Sequence, residues 1–364
     1  MKTKLQAAVL CGMAVLMGGC SQLGYFVQAA QGQYELLSEA RPIDDWLTSP
    51  GINDKLRDKL LKVKEIRAFA ARELGLPDND TFTTYADIKR PFVMWNVVAT
   101  PELSLKPLQW CFPVAGCVNY RGYYSKEDAQ AFASELRAEH FDVEVSGVPA
   151  YSTLGWFRDP VLSTFIKYPE GEVARMVFHE LAHQVVYIPG DSQFNESFAV
   201  AVEEAGVERW MNRYGDDKMR KAYADYERRK QDFLALLLKH RKLLDANYKR
   251  DASNEDKRRV KAEIFQSIKD EYQILKAAWG GYAGYDRWFA EPLSNAHLTA
   301  IATYHDFVPG FRALLTQQKS MSGFYEAVRA LSVLDREERH RRLALLANAP
   351  SMTVDAVHTA ADGK

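Results

Sequence analysis

The chain reads as an α+β protein, with a small sheet beside one reactive helix and a largely α-helical C-terminal part that includes a long αα-hairpin. Three observations point there. Residues 92–99 and 141–146 are short strand-like runs, and the second alternates cleanly in Phe141-Asp-Val-Glu-Val-Ser146. An apolar segment of helical length follows Pro169. Residues 216–278 are charged helix with a break at 247–254, the pattern of two arms folded together. The 364 residues are 47% hydrophobic and 26% charged, enough apolar material for a core, which excludes disorder for most of the chain. The 47 basic residues against 48 acidic ones leave no positive field for phosphate, so no nucleic-acid partner is expected.

Taken in order, Lys2 and Lys4 precede the apolar run Leu5 to Met17, too short to span a bilayer as a mature helix. That layout is a secretory signal peptide over residues 1–19. It ends in Leu16-Met-Gly-Gly-Cys20, small residues before a cysteine that resemble a bacterial lipobox, with Met17 where Leu is commoner. Cys20 is therefore expected to carry lipid and to bind the membrane. The expected address is the bacterial cell envelope, lipid-anchored on the periplasmic face. Ser21 favours the outer membrane over the inner. A plain secretory signal is the alternative. Removing Lys2 and Lys4 leaves 45 basic against 48 acidic residues, a net charge of −3. Cys11 leaves with the signal. Cys111 and Cys117 remain, separated by a stretch with Pro113 and Gly116 that suits a turn. In an oxidising compartment a disulfide is expected, since a metal pair would want tighter spacing.

Residues 20–50 are expected as a lipidated tether with a short helix, and 51–215 as the catalytic core. Leu56, Leu60, Val63, Phe69 and Leu74 lie at helical spacing and Gly75 closes that helix. Ser125 and Asp128 fit a capping box ahead of Ala129, Phe132, Ala133 and Leu136. The aromatic, Gly-containing stretch 151–160 reads as a working loop. The helix after Pro169, with Glu170 and Glu172 in its first turn, is expected to run to about Tyr187. The next helix is expected to start near Asn195 as N-cap and to pass Trp210. Residues 216–278 form the hairpin, with Phe233, Leu236, Leu237, Leu244, Ile264, Ile268 and Leu275 as its seam. Residues 279–350 are further helices completing the cleft, and 351–364 a tail.

The reactive segment is His179-Glu180-Leu181-Ala182-His183. Side chains four apart on a helix face the same way, so both imidazoles can bind one Zn²⁺ ion while Glu180 projects beside it to take a proton from water. The flanking Met176, Val177, Phe178, Leu181, Val185 and Val186 make this helix a buried one. Two unpartnered histidines and a glutamate would be costly there, and a metal supplies the partner. A third ligand is needed. Glu196, thirteen residues after His183 and past the turn at Pro189-Gly190, is the candidate, with Glu203 and Glu204 as rivals. Glu203 suits better the role of hydrogen-bond partner to a ligating histidine.

His-Glu-x-x-His followed on the next helix by Asn195-Glu-Ser-Phe-Ala199 resembles the gluzincin zinc metallopeptidases, including thermolysin and the aminopeptidase N group. The interval is shorter here, and Val200 stands where thermolysin has an acidic residue. The chain also resembles a bacterial family of lipoproteins described as predicted aminopeptidases. The resemblance lies in Trp110-Cys-Phe-Pro-Val-Ala-Gly-Cys117, Tyr120-Arg-Gly-Tyr123, Ala150-Tyr-Ser-Thr-Leu-Gly-Trp-Phe157, Phe178-His-Glu-Leu-Ala-His-Gln184 and Phe194-Asn-Glu-Ser-Phe-Ala199, with looser matches around Arg41 to Trp46, Trp95-Asn96 and Val308-Pro309. It implies a zincin-like metallopeptidase core and zinc-dependent peptide hydrolysis, with an aminopeptidase acting on envelope peptides as the particular activity.

On that reading His179, His183 and Glu196 hold one zinc ion and Glu180 is the general base. An oxyanion stabiliser is also needed. Tyr304 and His305 are the candidates, and Tyr282 and Tyr285 compete. In zincins an edge strand pairs with the substrate backbone, which places the 141–148 strand and Tyr151, Leu154, Gly155 and Trp156 at the peptide. An acid for a substrate α-ammonium would come from Glu203, Glu204 or Asp159. Residues 216–278 offer a surface for a protein partner. The competing reading is a non-catalytic, zinc-stabilised envelope lipoprotein that binds such a partner.

Overall fold

The computed structural model describes residues 24–112 and 116–348. The expected signal peptide, the lipidation site Cys20 and the tail at 351–364 lie outside the described residues. The order is α1 (24–38), β1 (Arg41–Pro42), α2 (Ile43–Leu47), α3 (Asp54–Leu74), β2 (Thr84–Ala86), β3 (Met94–Pro101), β4 (Trp110–Phe112), β5 (Gly116–Val118), β6 (Arg121–Tyr123), α4 (Lys126–Ala138), β7 (Phe141–Val148) and β8 (Val161–Leu162). Helices then take over: α5 (Glu170–Ala182), α6 (Ser192–Tyr214), α7 (Asp217–Lys249), α8 (Asn254–Ala278), α9 (Asp286–Phe289), α10 (Asn295–His305), α11 (Val308–Gln318), α12 (Met321–Ser332) and α13 (Arg336–Asn348). The protein is mixed α+β, mostly helical, with small sheets.

The pair α5 and α6 forms the centre. They run antiparallel, with Gly171 beside Met211, His179 beside Glu203 and His183 beside Glu196. Their approach is close because Gly206 has no side chain: a Cβ there would come within 2.6 Å of the buried Phe178 ring. Phe178 and Trp210 pack on Phe69 of α3, and Phe198 on Phe311 and Phe324 of α11 and α12. Each such fully buried aromatic is worth about 1.5–3 kcal/mol of apolar transfer.

Two helix ends differ from the sequence expectation. Helix α5 stops at Ala182 instead of near Tyr187, because Gln184 and Val185 donate three residues back, to Leu181 and Ala182, and tighten the last turn. Helix α6 starts at Ser192, capped by Asp191, whose carboxylate accepts from the Phe194 amide. Asn195 is inside the first turn and instead clamps the preceding loop, bonding both the amide and the carbonyl of Ile188 at 2.8 Å. Asp191 outcompetes it because it is also buried against Arg339 and His340 of α13, at 2.7 and 2.8 Å. Burial would raise that carboxyl, but the hydrogen bonds from His340 and Arg339 hold it below the usual range.

The antiparallel sheet β6-β3-β7 lies between α4 and α10. Trp95, Val97, Ala99 and Val143 pack on Ala129, Ala133 and Leu136 of α4. The alternate residues face α10, where the Asn295 amide donates to Asp142. Among the described residues β7 pairs with a strand on one side only. The stretch from residue 24 to 47, expected as a tether with a short helix, holds helices α1 and α2 around β1, and α1 packs on the sheet and the cleft loop. Tyr25 of α1 rests on Tyr123 and under the Arg121 guanidinium, and Gln33 accepts from the hydroxyls of Tyr124 and Tyr151.

Helices α7 and α8 form the hairpin, its seam built from Phe233, Leu236, Leu237, Leu244, Phe265, Ile268 and Tyr272, with Ile264 and Leu275 partly buried. Helix α9 closes its base, with Phe289 stacked on Tyr272 and Tyr285 on Phe233. Among the described residues no helix is long and apolar enough to cross a membrane.

Glu144 follows Asp142 on the face toward α10, and its Oε2 is buried without a hydrogen-bond partner among the described residues. Burial, with Glu291 adding to it, raises its carboxyl to about 8. The folded state then holds a proton that the unfolded chain releases near 4.5, so this group costs stability as pH rises from there toward 8. Denaturant unfolding of Glu144→Gln is expected to show a shallower loss of stability over that range than wild type. Identical pH slopes would contradict the burial.

Candidate metal centre

Helix α5 carries His179, its C-cap residue His183 follows one turn on along the same face, and Glu196, just past the first turn of α6, stands opposite them. His179 Nε2 and His183 Nε2 are 3.2 Å apart, and Glu196 Oε2 is 3.3 and 3.6 Å from them. A tetrahedral cation with bonds of about 2.0–2.1 Å holds its ligand atoms about 3.3–3.4 Å apart, so this triangle has the size of three of its corners. Among the described residues His179, His183 and Glu196 form a group that can hold a metal ion.

The surroundings support that use. His179 Nδ1 is 2.8 Å from Glu203 Oε2. An ionised carboxylate only accepts, so Nδ1 carries the proton and the Nε2 lone pair points into the triangle. Glu203 is buried and held in turn by Arg175 Nη1 at 3.2 Å and by Lys230. Burial opposes its ionisation, yet Arg175 and His179 hold its carboxyl at about 2. Glu196 is likewise buried and held at about 2 by His183 and His179. Burial works against a charged His179, but hydrogen bonds to Glu196 and Glu203 raise it to about 10. The three groups thus call for a positive charge between them, which a proton or a metal cation satisfies. His183 Nδ1 is buried with no hydrogen-bond partner among the described residues.

A cleft of about 460 Å³ opens onto this triangle. Glu180 lines it, and burial pushes the Glu180 carboxyl up against the pull of both imidazoles. Tyr304 lines it too, its ring 6.3 Å from that of His179 and nearly parallel. The charge of Glu196, then burial, pushes its phenol well above the usual value, so it stays a donor. His305 is not among the lining residues. Burial and the Lys230 charge lower its imidazole to about 4. Tyr282 and Tyr285 belong to the hairpin base, beside Trp279.

Tyr151, Leu154 and Trp156 line the cleft, and Gly155 does not. At φ +80° Gly155 turns the loop against Gln184, a backbone state that suits glycine. Asp159 lies behind this loop, accepting from the Thr153 amide and hydroxyl at 2.8 Å, and so shapes it from within. Glu204 pairs with Arg312 at 2.7 Å. Cys111 and Cys117 are joined by a disulfide across the β4–β5 hairpin. The hairpin abuts the α5–α6 turn, where a Cβ on Gly116 would come within 2.6 Å of the Gly190 nitrogen.

Several contributors escape a reading of the sequence. Tyr120 lines the cleft, its phenol pushed far up by burial and by the charge of Glu196. It stands in the Tyr120-Arg-Gly-Tyr123 segment but no spacing ties it to a metal. Arg175 was findable as the residue one turn before His179. Tyr25 and Asp191 depend on contacts with distant segments.

A small sheet beside a helix bearing two histidines, with a glutamate from the next helix, thus makes a buried group that can hold a metal ion at the bottom of a cleft. The chain belongs to the family described as "Putative aminopeptidase", whose family model matches residues 24–343. No curated protein and no solved structure matches it.

Replacing Glu203 with Ala removes the acceptor on Nδ1 and is expected to weaken metal binding about 10–100-fold in a chelator competition. Glu204→Ala should leave it unchanged. Equal affinities for wild type and Glu203→Ala would contradict the role of Glu203.

Proposed function

We propose that the protein is a zinc-dependent metallopeptidase of the zincin type, hydrolysing peptide bonds in the cleft between the 148–157 segment and helices α5 and α6. The observation that carries this is the His179, His183, Glu196 triangle with Glu180 beside it in the cleft. Two imidazoles and one carboxylate form a donor set of intermediate hardness that suits Zn²⁺, and the cleft leaves the remaining position open. His179, His183 and Glu196 would hold the zinc, which would supply Lewis acidity toward the scissile carbonyl and the attacking water. Glu180 accepts the proton of the attacking water and returns it to the leaving nitrogen. Its raised affinity for protons fits that exchange. Tyr304, and with it Tyr120, remain protonated and donate to the oxygen that gains charge. The β7 edge leads through Ala150 into the cleft wall and supports an extended peptide. The family's description names aminopeptidase action as one form of such hydrolysis.

Glu180→Gln is expected to keep its metal and to lose about 10²–10⁴ of kcat/KM on peptide substrates. A chelator should abolish wild-type hydrolysis and Zn²⁺ restore it. Hydrolysis by Glu180→Gln at the wild-type rate would remove Glu180 from the mechanism.

We further propose, from the basic and apolar pattern of residues 1–19, that lipid on Cys20 holds this activity at a membrane of the cell envelope. Tyr25, a cleft residue, follows Cys20 by five positions, so covalent geometry keeps that wall within about 18 Å of the anchor. Cys20→Ser is expected to abolish incorporation of a labelled fatty acid and to move the protein into the soluble fraction. Undiminished labelling would overturn the anchor.

A further inference from the structure

The cleft carries more information than its metal centre. Its lining among the described residues contains no lysine and no arginine, and its only carboxylates are Glu180 and Glu196. Both of these belong to the hydrolytic machinery. The three acids that were candidates to receive a substrate α-ammonium are engaged elsewhere. Glu203 is buried against His179 and Arg175, Glu204 is paired with Arg312, and Asp159 is occupied by Thr153 and Ser152. An exopeptidase cleft usually offers a charge opposite to the terminus it reads, and a charged terminus taken into a half-closed site without one loses hydration it cannot recover.

Apolar and aromatic side chains are what the walls do offer. Phe112 and Val118 of the disulfide hairpin line it, as do Leu154 and Trp156 of the Asp159-braced loop. Trp156 is 72% exposed and Phe157 52%, more than an aromatic pair packed for stability alone would be. The φ of Leu154 is +58°, a left-handed state rare for this residue type, held by the Leu154 amide donating to Ser152 Oγ. Strain of this kind in a cleft wall aims a side chain.

Resting on the peptidase reading, we propose that this cleft selects neutral, apolar peptide segments through Phe112, Leu154 and Trp156, and that it does not require a free N-terminal amine. Peptides with a blocked N-terminus are therefore substrates, and bonds inside a chain are open to it. Apolar side chains flanking the scissile bond supply the binding that an ion pair would supply in a strict exopeptidase.

The test uses the zinc-loaded mature protein and a pair of short peptides rich in Phe and Leu, identical except for N-acetylation. Turnover is measured on both. Binding is measured by calorimetry on analogues whose central amide is N-methylated and resists cleavage. The acetylated analogue is expected to bind at least as tightly as the free amine, and its parent to be cleaved with equal or higher kcat/KM. Trp156→Ala should weaken that binding about tenfold with zinc content unchanged. Tighter binding of the free-amine analogue, or Trp156→Ala binding like wild type, overturns the inference. Tight binding of the acetylated analogue with neither parent cleaved supports the cleft's selection of neutral, apolar segments and overturns the hydrolytic function on which the substrate claim rests.

Discussion

His179 and His183 face each other nitrogen to nitrogen at 3.2 Å, with a carboxylate completing the triangle, and the rest of the architecture depends on that contact. At that distance the two nitrogens share either a proton or a metal cation, and the carboxylate of Glu196 favours both. The fold has to hold these three groups in register. It does so by pressing α5 and α6 together at Gly206, by fixing one ring through Glu203 and Arg175, and by pinning the start of α6 through Asp191. Helix α13 takes part at long range, because Arg339 and His340 reach the cap that orients Glu196.

The peripheral layers serve the cleft more than the metal. The sheet β6-β3-β7 provides a floor, with Asn96 and Gly122 among its lining residues. The disulfide hairpin, α1 and the loop braced by Asp159 make the walls. Helices α7 and α8 reach the centre mainly through Lys230, which adds a second cation behind Glu203. The hairpin's own seam is closed by its aromatic stacks, so it stands as a packed arm with a charged outer face.

The parts of this centre that lie within one helix, or in a helix and its successor, could be read from spacing. His179, Glu180 and His183 follow from the period of the helix, and Glu196 and Glu203 from the turn that folds α6 back on α5. The strands at β3 and β7 and the hairpin were visible in the same way. What spacing hides is competition between local choices. Asn195 is a good cap by type, yet Asp191 takes the position because residues about 150 positions later neutralise it, and no local rule sees them. Tyr304 and His305 are adjacent and chemically equivalent as candidates, but helical geometry turns only the tyrosine to the cleft. Tyr120, Gly155 and the packed α1 depend likewise on which distant segments meet.

The central claim is that two imidazoles and one carboxylate bind a single zinc ion. X-ray absorption at the zinc edge of the purified, zinc-loaded protein tests it most directly. The account predicts nitrogen and oxygen neighbours at about 2.0–2.1 Å, two of them with the outer-shell scattering of imidazole, and no sulfur. Sulfur at about 2.3 Å, a shell of oxygens without imidazole, or failure to retain zinc would contradict it.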